Sequence, residues 1–119
     1  MTKLVCLMLI LAPAAALAGR GTIDCKKHPT YSVSGNGRQS LKFTGTCDKI
    51  TVETGQNTLT IENVKTLQLD GGMNSVHVGG VDAIITNGGQ NAVVYKKGLS
   101  GGKPKVSGGG ARNVVTQQK

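Results

Sequence analysis

Hydrophobic and polar residues alternate along most of the chain, and the alternation restarts at fixed intervals. In GQNTLTI (55–61), GGMNSVHV (71–78) and GQNAVVY (89–95), apolar residues occupy the second and fourth positions after an asparagine. These asparagines, Asn57, Asn74 and Asn91, are spaced by seventeen residues. Alternation with period two predicts short β-strands, and its regular restart predicts a repeat protein.

The repeat extends beyond these three stretches. Counted from the asparagine, apolar residues recur at offsets 2, 4, 7, 10 and 12, which places two short strands and an apolar corner in each unit. Two complete units fill these offsets with Leu59, Ile61, Val64, Leu67 and Leu69, and with Val76, Val78, Val81, Ile84 and Thr86. Asn113 takes the asparagine place in the last unit, and Gln39 takes it in an earlier unit.

A unit of seventeen residues cannot bury its apolar face alone, so we expect the units to stack as coils. The sequence therefore predicts an all-β fold, a small parallel β-helix (solenoid) of about five coils with a 17-residue repeat. An antiparallel meander of the same strands is the alternative, but it does not explain why like positions superimpose.

The turn residues have scaffold roles in this interpretation. We expect the glycines to adopt the positive φ that a tight corner needs. We expect four asparagines to form a structural ladder by hydrogen bonding from coil to coil. They are Asn57, Asn74, Asn91 and Asn113.

The first residues, MTKLVCLMLILAPAAALA, combine one lysine, an apolar run and a small-x-small end. This pattern predicts a signal peptide at 1–18, cleaved after Ala18. The apolar run is shorter than the roughly 20 residues of a membrane span, so none is expected. The predicted domains are the signal peptide, an N-terminal cap coil at 19–34 and β-helix repeats at 35–119. The predicted location is periplasmic or secreted.

Two cysteines, Cys25 and Cys47, remain after cleavage, and an exported protein favours their pairing as a disulfide. Cys47 occupies the corner offset that Val64 and Val81 fill in later coils. If the first coil is slightly longer than the others, the two cysteines stack on adjacent coils, within disulfide range.

Charge is unevenly distributed along the chain. The formal net charge is +8, and removal of Lys3 with the leader leaves 13 basic and 6 acidic residues, or +7. No acidic residue follows Asp82, whereas basic residues continue through an insertion at 96–105, KKGLSGGKPK, that interrupts the repeat. A loop on a rigid scaffold is a common recognition site. The candidate partner-binding residues are Lys96, Lys97, Lys103, Lys105 and Arg112.

These residues suit an acidic protein or an anionic envelope polymer. Nucleic acid is not expected, because the chain has only three aromatic residues and no tryptophan for base stacking. The plain alternative is a basic loop that only aids solubility.

A catalytic interpretation rests on Glu53 and Asp70, which share one position in successive units with Asn87. Carboxylates about 5 Å apart occur in retaining glycosidases, and calcium can bridge such a pair. The simpler interpretation is a set of turn residues, since Asp-Gly and Asn-Gly dipeptides are common in turns. His77 faces outward without an acidic neighbour. We therefore predict no catalytic residue, no metal and no cofactor, so the protein is not expected to be an enzyme.

The runs GQNTLTIENVKTLQLDGGMNSVHV, GGQNAVVYKKG and KPKVSGGGARNVV resemble the domain of unknown function 3060 family over residues 31–116. That family consists of exported bacterial proteins with repeated G-x-N-x-V-x-V units and a closing P-K-V-S-x-x-G-x-x-N-x-V segment. The resemblance implies a β-repeat fold and export, and it assigns no catalytic residue. Gln39 departs from the pattern, where asparagine would stand.

The resulting functional prediction is an exported, non-enzymatic binding module. One version is a periplasmic inhibitor or immunity-type protein that engages an acidic partner. The alternative is a structural or self-assembling β-solenoid of the cell envelope or surface, which associates end to end through its exposed coils.

Overall fold

The computed structural model describes residues 20–118, and these residues form a single parallel sheet wound into coils. The predicted signal peptide at 1–18 lies outside the described residues. The strands are β1 (Arg20–Asp24), β2 (Thr30–Val33), β3 (Ser40–Val52), β4 (Thr58–Leu69), β5 (Ser75–Thr86), β6 (Ala92–Lys97), β7 (Lys105–Ser107) and β8 (Val114–Gln117). Every strand pair is parallel, and residues 20–118 contain no helix. The predicted all-β parallel solenoid is confirmed.

The register between coils reproduces the spacing in the sequence. Partners in β4 and β5 are seventeen residues apart, as in Leu59 and Val76, and β6 continues this offset. Between β3 and β4 the offset falls from eighteen to seventeen across a bulge between Phe43 and Thr46, where Gly45 has a φ of 81°. One extra residue is therefore absorbed in the second coil without displacing the apolar positions that follow it.

The core consists of columns of apolar side chains that run along the solenoid axis. Inward positions of each coil lie beside the same positions of the next, so each inward apolar group of a middle coil lies between its equivalents above and below. All five apolar offsets of the third coil are buried, at Leu59, Ile61, Val64, Leu67 and Leu69. Leu, Ile and Val fill most of the core, as expected from a chain with few aromatic residues.

The middle coils differ from the prediction in one detail. We predicted two short strands separated by an apolar corner, whereas β3, β4 and β5 each continue through the corner as one bent strand. Pairing persists at the corner, where Cys47 lies beside Val64 and Val64 beside Val81. Because like corners stack, the bend does not interrupt the hydrogen-bonded ladder.

The turn glycines have a different role from the predicted one. The positive φ angles lie on the residue directly before each ladder position, such as Gln56 (60°) and Met73 (59°), and not on Gly71 or Gly72. A Cβ atom at Gly71 would collide with the carbonyl oxygen of Thr54. The glycines are therefore required because adjacent turns stack too closely for a side chain.

The asparagines form a continuous ladder through the turns. The Oδ1 atom of Asn74 accepts from the backbone N–H (3.0 Å) and from the Nδ2 atom (2.9 Å) of Asn57, and Asn91 accepts in the same way from Asn74. Asn113 repeats both bonds with Asn91. At the other end, Asn57 accepts only from the backbone of Gln39, whose side chain bonds its own turn instead.

Cys25 and Cys47 form the predicted disulfide, with Cα atoms 4.7 Å apart. Both residues are buried. The first coil is longer than the later ones, since β1 and β3 pair with an offset of twenty residues, which brings Cys25 to the coil boundary beside Cys47. The bond joins the first coil to the second at the end where the described sheet has a free edge.

Candidate binding surface at the C-terminal coils

The five candidate binding residues all lie in the last two coils and are exposed. Lys96 and Lys97 end β6, and Lys105 begins β7. Lys103 lies in the loop between these strands, and Arg112 lies in the turn before β8. We refer to these five residues as the basic end. Among residues 20–118 the one ion pair, between Lys65 and Asp48 (3.4 Å), is elsewhere, so no carboxylate of that part of the chain forms an ion pair with the basic end.

Strand pairing fixes the basic end more firmly than the sequence suggested. Lys97 pairs with Gly80, seventeen residues earlier, whereas Lys105 pairs with Ala83, twenty-two residues earlier. Five residues are therefore inserted between Lys97 and Lys105. The predicted insertion at 96–105 therefore includes strand residues at both ends, and those lysines project from a paired backbone.

The inserted loop is itself held in place. The carboxylate of Asp82 accepts hydrogen bonds from the backbone N–H (2.8 Å) and the hydroxyl (2.9 Å) of Ser100. These two bonds lower the pKa of Asp82. The side chain of Leu99 packs over Gly80, at a point where an added Cβ would lie 2.6 Å from Leu99 Cδ2. The loop thus presents Lys103 from an anchored position.

Arg112 belongs to a column that sequence reasoning missed. Five non-glycine residues with left-handed backbone stack along the turns, and Arg112 forms one wall of an open groove of about 660 Å³ with Gln90 and Met73. The column consists of Arg38, Gln56, Met73, Gln90 and Arg112. The available signal was the variable residue of the three Gly-x-Asn units, since Gln56, Met73 and Gln90 lie between a repeated glycine and a repeated asparagine.

The carboxylates of the alternative site lie in successive coils. Glu53, Asp70 and Asn87 occupy equivalent positions, each donating its backbone N–H to the preceding coil. Asp70 Oδ1 accepts from the side chains of Asn87 (2.9 Å) and Gln68 (3.0 Å), and these bonds lower its pKa. A general acid needs a raised pKa, so Asp70 is unsuited to that role.

Other candidate chemistry stays dispersed. His77 is exposed in an outward column between Thr60 and Val94. Within residues 20–118 no three His, Cys, Asp or Glu side chains are grouped so that they could hold a metal ion. No helix in that part of the chain is long and apolar enough to cross a membrane.

Comparison of the chain with protein-family models, with curated proteins and with solved structures found no match in any of the three. By its geometry the described chain is a parallel β-solenoid with a ladder of asparagines, a first coil that a disulfide joins to the second, and the basic end in its last coils.

Proposed function

We propose that this β-solenoid is an exported, non-enzymatic binding module whose basic end engages an acidic partner. One observation carries the proposal: five exposed cations stand at one end of a rigid scaffold, and no carboxylate of the described chain pairs with them. Because backbone pairing and an anchored loop position these cations, little ordering of the protein accompanies binding, which favours affinity. Charge on such a surface attracts an acidic partner at long range and fixes its orientation.

The sequence features that predict export support the choice of partner. The leader-like residues 1–18 and the buried disulfide suit an oxidising compartment outside the cytoplasm. The partners available there include acidic proteins and anionic envelope polymers. An inhibitor or immunity-type role is the form that we favour. Kinship with the domain of unknown function 3060 family belongs to the same proposal and rests on the shared sequence motifs.

A charge-reversal experiment tests this function. We expect a variant with Lys96, Lys97, Lys103 and Lys105 replaced by Glu to lose capture of acidic envelope components, because its charge at the basic end is inverted. Capture by the unmodified protein should weaken steeply between 50 and 500 mM NaCl, since exposed charges are screened beyond about 8 Å at physiological ionic strength.

The matched control is reversal of four exposed lysines in the first two coils, Lys26, Lys27, Lys42 and Lys49. It makes the same change in net charge at the other end of the solenoid and should retain capture at a protein dilution at which it sediments as a single chain. Both variants should keep the circular dichroism spectrum of the unmodified protein. Undiminished capture by the folded basic-end variant would refute the proposal.

The second candidate is a structural, self-assembling solenoid, and one observation favours it. The outer edges of β7 and β8 pair with no other strand among residues 20–118, and Val106 in β7 is 49% exposed although its column is buried in the inner coils. Such edges can stack copies of the chain end to end. Like charge opposes this arrangement, because the first coil carries Arg20, Lys26 and Lys27 and would meet the basic end.

A further inference from the structure

The last coil exposes hydrogen-bond donors that every inner coil satisfies with its successor. In the inner turns, the residue before the asparagine donates its backbone N–H to the following coil, as Met73 does to the carbonyl of Gly89 (3.0 Å). The asparagine then donates its backbone N–H and one Nδ2 hydrogen to the next Oδ1 atom. Arg112 and Asn113 hold these places in the last coil, and their outward donors find no acceptor among residues 20–118.

The ladder is directional, and its direction determines which chemistry fits the open end. Each asparagine oxygen accepts from the coil before it, so the ladder ends in donors at Asn113. One of the two Nδ2 hydrogens of Asn113 donates to the carbonyl of Gly88 (2.9 Å). The outward donors of Asn113 are therefore its backbone N–H and the other Nδ2 hydrogen. A ligand oxygen that accepts from both outward donors of Asn113 would occupy the place of the next Oδ1 atom. A carboxylate oxygen accepts more strongly than an amide oxygen, and here it would also lie near the guanidinium of Arg112.

The adjoining strand edge has the form that an added strand needs. Residues of a parallel strand bond alternately to one neighbour and to the other. Val114 donates to the carbonyl of Asn91, directly before β6, and Gln118 donates to Tyr95 in β6. Val115 and Gln117 therefore turn their N–H groups to the open edge. Half-exposed Val106 offers apolar surface at the same end.

We propose that the partner binds by adding a strand to this edge, with an aspartate side chain completing the asparagine ladder at Asn113. The occupant is an extended segment of an acidic protein that carries alternating apolar residues after the aspartate. Charge selects this occupant over a second copy of the chain, since the first coil is itself basic. This inference rests on the proposed function and specifies how its partner is recognised.

A peptide probe tests the inference. The labelled peptide NGGQDAVVYEE copies residues 87–97 with Asn91 replaced by Asp and both terminal lysines replaced by Glu, so that its aspartate can align with Asn113. Binding is measured by fluorescence anisotropy to the disulfide-bonded protein. We expect replacement of the peptide aspartate by alanine to weaken binding about tenfold, the factor that one charge-assisted hydrogen bond contributes.

Two protein variants separate the ladder from the strand edge. Asn113→Asp keeps the oxygen that accepts from Asn91 but places a negative charge opposite the peptide carboxylate, and it should weaken binding at least tenfold. Its control is Asn36→Asp, the same change in an exposed turn at the other end. Gln117→Pro removes an outward N–H from β8 and should also weaken binding, whereas Thr22→Pro makes a similar removal in β1 and should not.

The outcomes distinguish this inference from the function on which it rests. Loss of binding with Asn113→Asp and Gln117→Pro, but not with their controls, supports strand addition. Salt-sensitive binding that needs the lysines and ignores both variants overturns the inference and leaves the basic-end function standing. Absence of peptide binding also overturns the inference. Polygalacturonate is an anionic polysaccharide that cannot form a β-strand. If both variants weaken its binding as much as they weaken peptide binding, the inference is overturned as well. Binding that is unaffected by lysine reversal contradicts the proposed function itself.

Discussion

In the Gly-Gly-Met-Asn turn at 71–74, the left-handed backbone falls on Met73, while the two glycines lie outside the left-handed region. The glycines face stacked carbonyl oxygens of neighbouring turns, and Asn74 bonds the coils on both sides. Each residue of the turn is thus selected by a contact between coils and not by the turn alone. Substitutions in this short stretch should have effects of different size and sign.

Replacement of Asn74 by alanine removes the acceptor for two donors of Asn57, one of them a buried backbone N–H. We expect the free energy of unfolding to fall by about 2–4 kcal/mol, because unsatisfied buried donors are costly. Ser75→Ala, one residue along, should change it by less than about 0.5 kcal/mol. Chemical denaturation of the two variants measures the contrast, and equal losses would contradict the ladder.

The glycine and methionine positions should respond in opposite ways. Gly71→Ala brings a Cβ against the carbonyl of Thr54 and should be strongly destabilising. Met73→Gly relieves a left-handed non-glycine residue and should leave stability unchanged or raise it by up to about 1 kcal/mol. Thermal unfolding of both variants tests this ordering, which would reverse if the first glycine of the turn served to permit positive φ.

This ordering marks the limit of what the sequence could predict. The seventeen-residue spacing of Asn57, Asn74 and Asn91 was sufficient to predict the register, since one slipped residue would expose every apolar side chain. It could not assign the positive φ within the turn, because a Gly-Gly pair can serve either conformational freedom or close approach. Only the distance between adjacent coils distinguishes these roles, and the sequence of one repeat unit does not specify that distance.

At the scale of elements, the first coil and the inserted loop depend on tethers that the middle coils do not need. β1 and β2 have a neighbour on one side only within the described chain, and the disulfide compensates for this. The loop after β6 depends on Asp82, eighteen residues before Ser100. The sequence indicated the disulfide through Cys25 and Cys47, the two cysteines that follow the predicted leader. It did not indicate the Asp82 anchor, because the insertion breaks the register that would pair these residues.

Removal of the disulfide should loosen one end of the solenoid selectively. A Cys25→Ala, Cys47→Ala variant should lose about 3 kcal/mol of stability, the chain-entropy value for a loop of this length. Hydrogen exchange should accelerate in β1 and β2 while β4 and β5 stay protected, because repeat proteins open from their ends. Uniform acceleration along all coils would contradict the assigned role of the bond as a clamp.

The loop anchor should release in acid. Bonds from Ser100 lower the pKa of Asp82, so the anchor is intact above the ordinary aspartate value of about 4 and is lost as pH falls through the lowered pKa. The NMR shift of the Ser100 amide proton should therefore titrate with a midpoint below pH 4. In Asp82→Ala the shift should not follow this titration. A midpoint at or above pH 4 in the unmodified protein would contradict the anchor.

Across the whole molecule, charge separates along the solenoid axis. Five of the six acidic residues lie between positions 48 and 82, in the middle coils, whereas both ends of the described chain are basic. The sequence predicted this separation in part, because the basic run after Asp82 is visible in the order of residues. The free strand edge at the same end became apparent only with the coils assembled. Together they support the proposal that the last coil adds a strand from an acidic chain in preference to the first coil of a second copy.

Like charge at both ends predicts the association state. The unmodified protein should sediment as a single chain at low ionic strength, where repulsion between its ends is strongest. Replacement of all five residues of the basic end by Glu changes the charge of that end from +5 to −5 while the other end stays basic. This variant should therefore form head-to-tail oligomers that dissociate as NaCl is raised. Sedimentation velocity between 20 and 500 mM NaCl measures both effects.

Reversal of Lys26, Lys27 and Lys42 instead serves as the matched variant. It creates the same opposition of charge with the ends exchanged, so it should also associate. Oligomers of the unmodified protein at 20 mM NaCl would show that its edges pair despite their charge, and would favour the self-assembling solenoid over the binding module.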